Sequence, residues 1–311
     1  MKPLRKSIVP VAIVIAMIMA SACQSGKKES NVLIQDVDET ASSAGIESFS
    51  QVFHLYPSPT EMLSVIDMSE MSFDGSLLNP VERADQYLDS KRKTQALGVY
   101  MTDLAYSALF GRHEETLDYL EVAKSLAEGI QINEAVDEAM IKKAQDNIEF
   151  LDSLYTISND AFINILRFCE RNERSNTVVM LSAGAFTESL YLAANMIDNY
   201  ETADALLQHL ADQKFTIDNF MLFAKGLDSA DPGVISTIEG LEKIKSIYDG
   251  IKPASGGVTI KPSKESDDKQ PKKLVIGGSK SASQPGLTED EFNALKAAIN
   301  ELRNNTVTAN L

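Results

Sequence analysis

Apolar residues recur along most of this chain at intervals of three and four, and the alternation of a half-buried strand is almost absent. The pattern therefore predicts an all-α protein. Its densest stretch is 97–110, where Leu97, Val99, Tyr100, Met101, Leu104, Tyr106, Leu109 and Phe110 leave almost no polar face. A helix apolar on every side belongs at the centre of a fold. Gly111 stops it, and Leu117, Leu120, Val122, Ala123 and Leu126 build a returning partner that ends at Gly129. Further helices are expected at 133–149, 150–172, 176–198, 201–212, 216–227 and 232–248. The border at Phe150 stays open, because 150–155 also extends the preceding pattern. Short connections make neighbours antiparallel, giving a helical-hairpin bundle or a short solenoid.

Two breaks carry the same device. In Ser58-Pro59 and again in Asn79-Pro80, a capping residue precedes proline at the first helical position. Met62, Leu63, Ile66 and Met71 form the stripe of the first of these helices. After residue 250 the pattern lapses. Segment 251–287 carries seven Lys against three acids, with many Pro, Gly and Ser, and reads as a linker. Within it Val258-Thr259-Ile260 and Leu274-Val275-Ile276 suggest a short β-hairpin. Residues 288–311 then form a C-terminal helix and tail, opened by the capping box Thr288 to Glu291. Its narrow stripe of Phe292, Leu295, Ile299 and Leu302 must dock on the body or on a partner, because so short a helix is marginal alone.

The start of the chain has its own pattern. Lys2, Arg5 and Lys6 precede an apolar run at 8–20, and small residues lead into Cys23. That is the form of a secretory leader over 1–22. Cysteine directly after the small residues resembles the bacterial lipobox, with Ala20 where leucine is preferred. The resemblance implies lipid on Cys23 and a lipoprotein held in the cell envelope by its anchor. The polar, aperiodic residues 23–46 read as a flexible tether to a helical domain over 47–250. Removing 1–22 takes three of the 29 basic residues and none of the 45 acidic ones, so the net charge becomes −19. That charge disfavours nucleic acid and adsorption to anionic lipid, leaving the acyl chains on Cys23 to hold the membrane. Cys169, the other cysteine, shares a helical face with Phe162, Ile165 and Leu166 and reads as an inert buried thiol.

Two broader resemblances concern the body. The hairpin around Gly111 and the turn Asn199-Tyr200-Glu201-Thr202-Ala203 have the outline of tetratricopeptide units, but their spacing does not fit that repeat's ~34-residue period. Pro57-Ser58-Pro59-x-Glu61, Leu78-Asn79-Pro80, Ala96-Leu97-Gly98-Val99-Tyr100-x-x-Asp103-Leu104-x-Tyr106 and Glu188-Ser189-Leu190-Tyr191-Leu192-Ala193 are similar to a family of Bacteroidetes-type helical lipoproteins. The resemblance implies an exported helical protein of the outer membrane, on its periplasmic or its surface face, and transfers no catalytic residue. It also implies O-glycosylation at Asp-(Ser/Thr)-small triplets. Asp228-Ser229-Ala230 fits and makes Ser229 a candidate, while Asp152-Ser153-Leu154 falls inside an expected helix.

Motifs for catalysis or metal are missing. His113-Glu114-Glu115-Thr116-Leu117 starts like a zinc-protease helix, but Leu117 stands where the second histidine is needed. No G-x-S-x-G elbow occurs, and no cofactor or metal is expected. The unusual polar residues lie inside apolar helices: Asp103 and Tyr106 in one, Glu188 and Tyr191 in another. A carboxylate in such surroundings must be paired, hydrogen-bonded or protonated. The four residues form a candidate polar pocket or, on the structural reading, a network that fixes helix register. The sequence thus favours a non-enzymatic module binding an envelope protein, peptide or glycan. A hydrolase or small-ligand carrier built on the Asp/Glu/Tyr set is the alternative.

Overall fold

The computed structural model describes residues 58–68, 71–227, 229–251 and 286–308. The leader, Cys23, the tether, the hairpin expected within 251–287 and Asp228 lie outside these residues. Among those described, the chain is all-α, with nine α-helices, three short 3₁₀ turns and no strand. In order they are α1 (Pro59–Met68), α2 (Ser90–Leu109), α3 (His113–Gly129), α4 (Glu138–Asp146), α5 (Leu151–Arg171), α6 (Ser175–Asn195), α7 (Asp204–Gly226), α8 (Pro232–Gly250) and α9 (Glu289–Val307).

The two helices that bury most of their residues, α2 and α6, are the axis of the body. In a solenoid each unit touches only its neighbours in sequence. Here α2 packs most extensively on α6, and α9 lies against α6, α8 and α2, so the architecture is a bundle around a central pair. Helix α6 is long and apolar enough to cross a membrane, with mean hydropathy 1.3, yet 94% of that stretch is buried inside the protein. Glycines make the central contact possible. A Cβ on Gly98 would stand 2.0 Å from the Leu181 carbonyl oxygen, and one on Gly184 would stand 2.1 Å from that of Gln95. Thr102 continues the seam, its Oγ1 donating to the Ala185 carbonyl at 3.2 Å.

Several expected boundaries shift for local reasons. Residues 133–149 are not one helix. The Asp137 side chain accepts the Met140 N–H, and α4 begins only there. Phe150 is extended, so α5 starts afresh at Leu151. The two helices expected at 201–212 and 216–227 are one, α7. Leu206, Leu210, Gln213, Ile217, Phe220 and Ala224 make a single buried stripe with no Gly or Pro to break it. Asn79 caps no α-helix. Val81–Gln86 is a 3₁₀ turn, and Asp89 caps α2 instead by accepting the Arg92 N–H. Ser58 does cap α1, exchanging hydrogen bonds with Glu61, and Thr288 and Glu291 form the capping box of α9.

The C-terminal helix docks on the body. Its buried residues are Phe292, Leu295, Ala298, Ile299, Arg303 and Val307. Leu302, expected in the stripe, is only partly buried, and Arg303 takes the inward position.

Candidate functional site

The central carboxylates come together, and a residue absent from the sequence reading meets them. Arg303 of α9 places Nε 3.0 Å from Glu188 Oε2 and Nη2 3.0 Å from Oε1. Nη2 also donates to the Leu77 carbonyl at 3.2 Å. The guanidinium carbon lies 4.4 Å from the centre of the Tyr191 ring, a cation–π contact. This ion pair is sealed, with the two side chains 7% and 0% exposed. A bidentate fork of this kind supplies both direction and strength.

Asp103, on α2, sits beside Glu188 with no exposure at all. Burial pushes its carboxyl well above the ordinary range, and the Glu188 charge adds to this while Arg303 opposes it. Burial also raises Glu188, but the Arg303 charge and its hydrogen bonds pull the other way. Two like charges in one dry site cannot both persist. Asp103 therefore keeps its proton, and Glu188 stays ionised against Arg303. Asp103 Oδ1 has no partner at ordinary hydrogen-bond distance among the described residues. The other Asp103 oxygen, Oδ2, accepts the Asn79 N–H at 3.1 Å.

The same helices hold the irregular segment 74–80 from several sides. Tyr106 OH accepts the Asp74 N–H at 3.0 Å. Tyr100 OH donates to the Pro80 carbonyl at 2.8 Å, and Tyr119 OH donates to that of Asn79 at 3.1 Å. The Asn79 amide donates to Tyr87 OH, which donates in turn to the Val307 carbonyl at the end of α9. Burial raises the pKa of Tyr87, Tyr100, Tyr106 and Tyr119, so all four hydroxyls stay neutral. Most of these polar groups thus fix one loop and one helix to the central pair, while Asn79 Oδ1 and Asp103 Oδ1 are buried without a hydrogen-bond partner among the described residues.

Of the four residues in the predicted pocket, Asp103 and Glu188 are buried close enough to feel each other's charge. Tyr191 stacks on Arg303, and Tyr106 turns away to Asp74 and the Phe73 and Phe110 rings. They line none of three spaces in the fold. A cleft of about 470 Å³ lies between 71–77 and 195–203. A groove of about 410 Å³ separates α1 from α5. A closed space among α1, α5, α6 and α7 measures only about 20 Å³, enough for one water.

Arg303 was legible only as an irregularity. It stands four residues after Ile299 and eight after Leu295, on the apolar face of its helix, where a cation needs a partner. Among the described residues no three His, Cys, Asp or Glu side chains converge as a metal site. Ser229 is partly buried and accepts the Asp231 N–H at 3.2 Å. No protein-family model matches this chain, and searches of curated proteins and of solved structures also find no match.

Proposed function

We propose that the chain is an exported lipoprotein, anchored through lipid on Cys23, whose helical body is a non-enzymatic binding or scaffolding module of the cell envelope, on the outer membrane. The anchor rests on the charged start, apolar run and small residues before Cys23. The observation that carries the choice of binding over hydrolysis is the burial of Asp103 and Glu188. A carboxylate pair acting on a substrate must come within hydrogen-bond reach of it. Here both are fully buried, and Arg303 occupies Glu188. Their role is to hold α9 and segment 74–80 in place, which suits a rigid scaffold presenting loops to a partner. Ser229 as a glycosylation site belongs to this reading and rests on the Asp-Ser-Ala triplet.

Crosslinking in the native envelope followed by affinity capture tests the module, with Cys23→Ser as the companion variant. A reproducible envelope partner is expected, together with release of Cys23→Ser from the membrane fraction. Capture of nothing above background counts against the module, and retention of the variant on the membrane counts against the anchor.

A further inference from the structure

Building on that reading of the body as a binding module, we infer that the cleft between 71–77 and 195–203 recognises a primary ammonium group carried on a short apolar stem. Its volume of about 470 Å³ falls within the usual size of small-ligand sites. Asp74 and Asp198 line it, and no Lys, Arg or His does. An anionic ligand would be repelled there, and a cation drawn in. Hydrogen bonds from Ser76 hold the Asp74 carboxyl below its ordinary pKa, so the charge is present at neutral pH. Those bonds use Oδ1 alone. Asp198 is exposed and makes no hydrogen bond or salt bridge to any described residue. Lys296, the cation that feels its charge, stands over the Phe292 ring and lies outside the lining.

The rest of the wall is mixed. Partly buried Met71 and Leu77 supply apolar surface for a short stem, Met196 and Ile197 are almost fully covered, and Ser72, Asn195, Asn199 and Thr202 make the rest of the lining polar. A sugar fits less well. The Phe73 ring, the one aromatic in the lining, is already engaged by the Arg112 guanidinium at 4.9 Å and by Tyr106 and Phe110.

The groove between α1 and α5 provides the contrast. Its polar groups satisfy one another, Thr60 with Asn159, Tyr155 with the Thr60 carbonyl, and Ser58 with Glu61. The acidic cleft is also preformed from behind. Arg303 holds the Leu77 carbonyl, Tyr106 holds the Asp74 N–H, and Asn300 of α9 accepts from Asn195 at 2.8 Å. Preformed walls lower the ordering cost of binding. In this arrangement the buried network and the C-terminal helix become positioning elements for the cleft.

The test is titration of the full chain, by calorimetry and by amide chemical shifts, with three probes at low ionic strength. They are 1,5-diaminopentane, the N-acetyl, N-methylamide derivative of lysine, and 1,5-pentanediol as the neutral counterpart. Saturable binding of an ammonium probe is expected, with shifts concentrated in 71–77 and 195–203 and the diol at least tenfold weaker. Asp198→Asn, in an exposed turn, should weaken the ammonium probe at least fivefold without changing Tm. Asp118→Asn, exposed on α3, should leave it unchanged. Tighter binding of the diamine points to a free amine, and tighter binding of the lysine derivative to a peptide side chain. Equal binding of the diol, indifference to Asp198→Asn, or no saturation by either ammonium probe overturns the inference. If these titrations fail while a partner is still captured from the envelope, the ammonium site is wrong and the binding module stands.

Discussion

Arg303 closes on Glu188 across 115 residues of sequence, and the contact is shut off from water on both sides. The other salt bridges among the described residues each involve a carboxylate at least about a third exposed. Exposed pairs of that kind contribute about 0–1 kcal/mol. The buried one fixes where α9 sits, because a one-residue slip of the helix would strand both charges in an apolar core.

Arg303→Met should therefore cost about 3–5 kcal/mol, the usual penalty for leaving one member of a buried pair. Glu188→Gln alone should be costly too, since it strands the arginine. The double variant should lose less than the sum of the singles. Urea denaturation of the three variants gives the coupling energy directly. Additivity, with a loss under about 1 kcal/mol for Arg303→Met, would show that the pair does not hold α9.

Gly98→Ala tests the central seam. On an isolated helix alanine is preferred to glycine by about 1 kcal/mol. Here the new Cβ would sit 2.0 Å from the Leu181 carbonyl oxygen and 2.7 Å from the Ala185 nitrogen. Both obstacles are backbone, so no side chain can swing aside and the two helices must separate. The expected outcome is a loss of about 1–3 kcal/mol or more, the range for overpacked cores. A Tm equal to or above that of the parent would mean that α2 and α6 do not touch there.

These two contacts also show what the sequence carries and what it hides. The all-round apolarity of residues 97–110 and of α6 is a local property, and it places both helices at the centre without further information. Asp103 and Glu188 were visible for the same reason, as charges in apolar surroundings. Their partner was hidden because it lies on a separate helix, beyond a long segment of unrelated composition. Leu302 and Arg303 are adjacent, and only the packing decides which points inward. The turn at Gly111 was legible because glycine marks it. The end of α3 at Gly129 was legible in the same way, but in the turn beyond it the residue that takes the left-handed conformation is Gln131.

That turn yields the third prediction. Gln131 and Glu173 have φ of 61° and 55°, and each closes its helix with the paired bonds of a Schellman motif. Residues other than glycine lose about 1–2 kcal/mol in this conformation. Gln131→Gly and Glu173→Gly should each stabilise the fold, by about 0.5–1 kcal/mol after the extra backbone entropy of glycine is deducted. Thermal unfolding of the single variants checks it, and a lowered Tm for both would refute the account.

Cys169 should behave as a core residue. It is fully buried on α5, and burial pushes its thiol up to about 11, so almost no thiolate exists at neutral pH. Iodoacetamide at pH 8 should leave Cys169 unmodified in the native chain and alkylate it fully in urea. Mass spectrometry of the peptide containing Cys169 distinguishes these results. Rapid native labelling would place the thiol at the surface.

The protonation of Asp103 gives a pH dependence whose sign can be fixed in advance. An acid with a raised pKa in the fold keeps its proton where the unfolded chain has already lost one. From about the ordinary value of 3.8 upward, the unfolded state binds fewer protons, and stability falls as pH rises until the folded group ionises too. One proton of difference corresponds to about 1.4 kcal/mol per pH unit. Asp103→Asn keeps an oxygen for the Asn79 N–H, yet carries no proton to lose. The variant should match the parent near pH 4 and gain on it steadily toward pH 8, as read from urea midpoints across that range. Glu188, whose pKa is also raised, leaves a smaller slope of the same sign in the variant. Parallel curves for variant and parent would mean that Asp103 is ionised in the fold, and Arg303 would then have two carboxylates to balance instead of one.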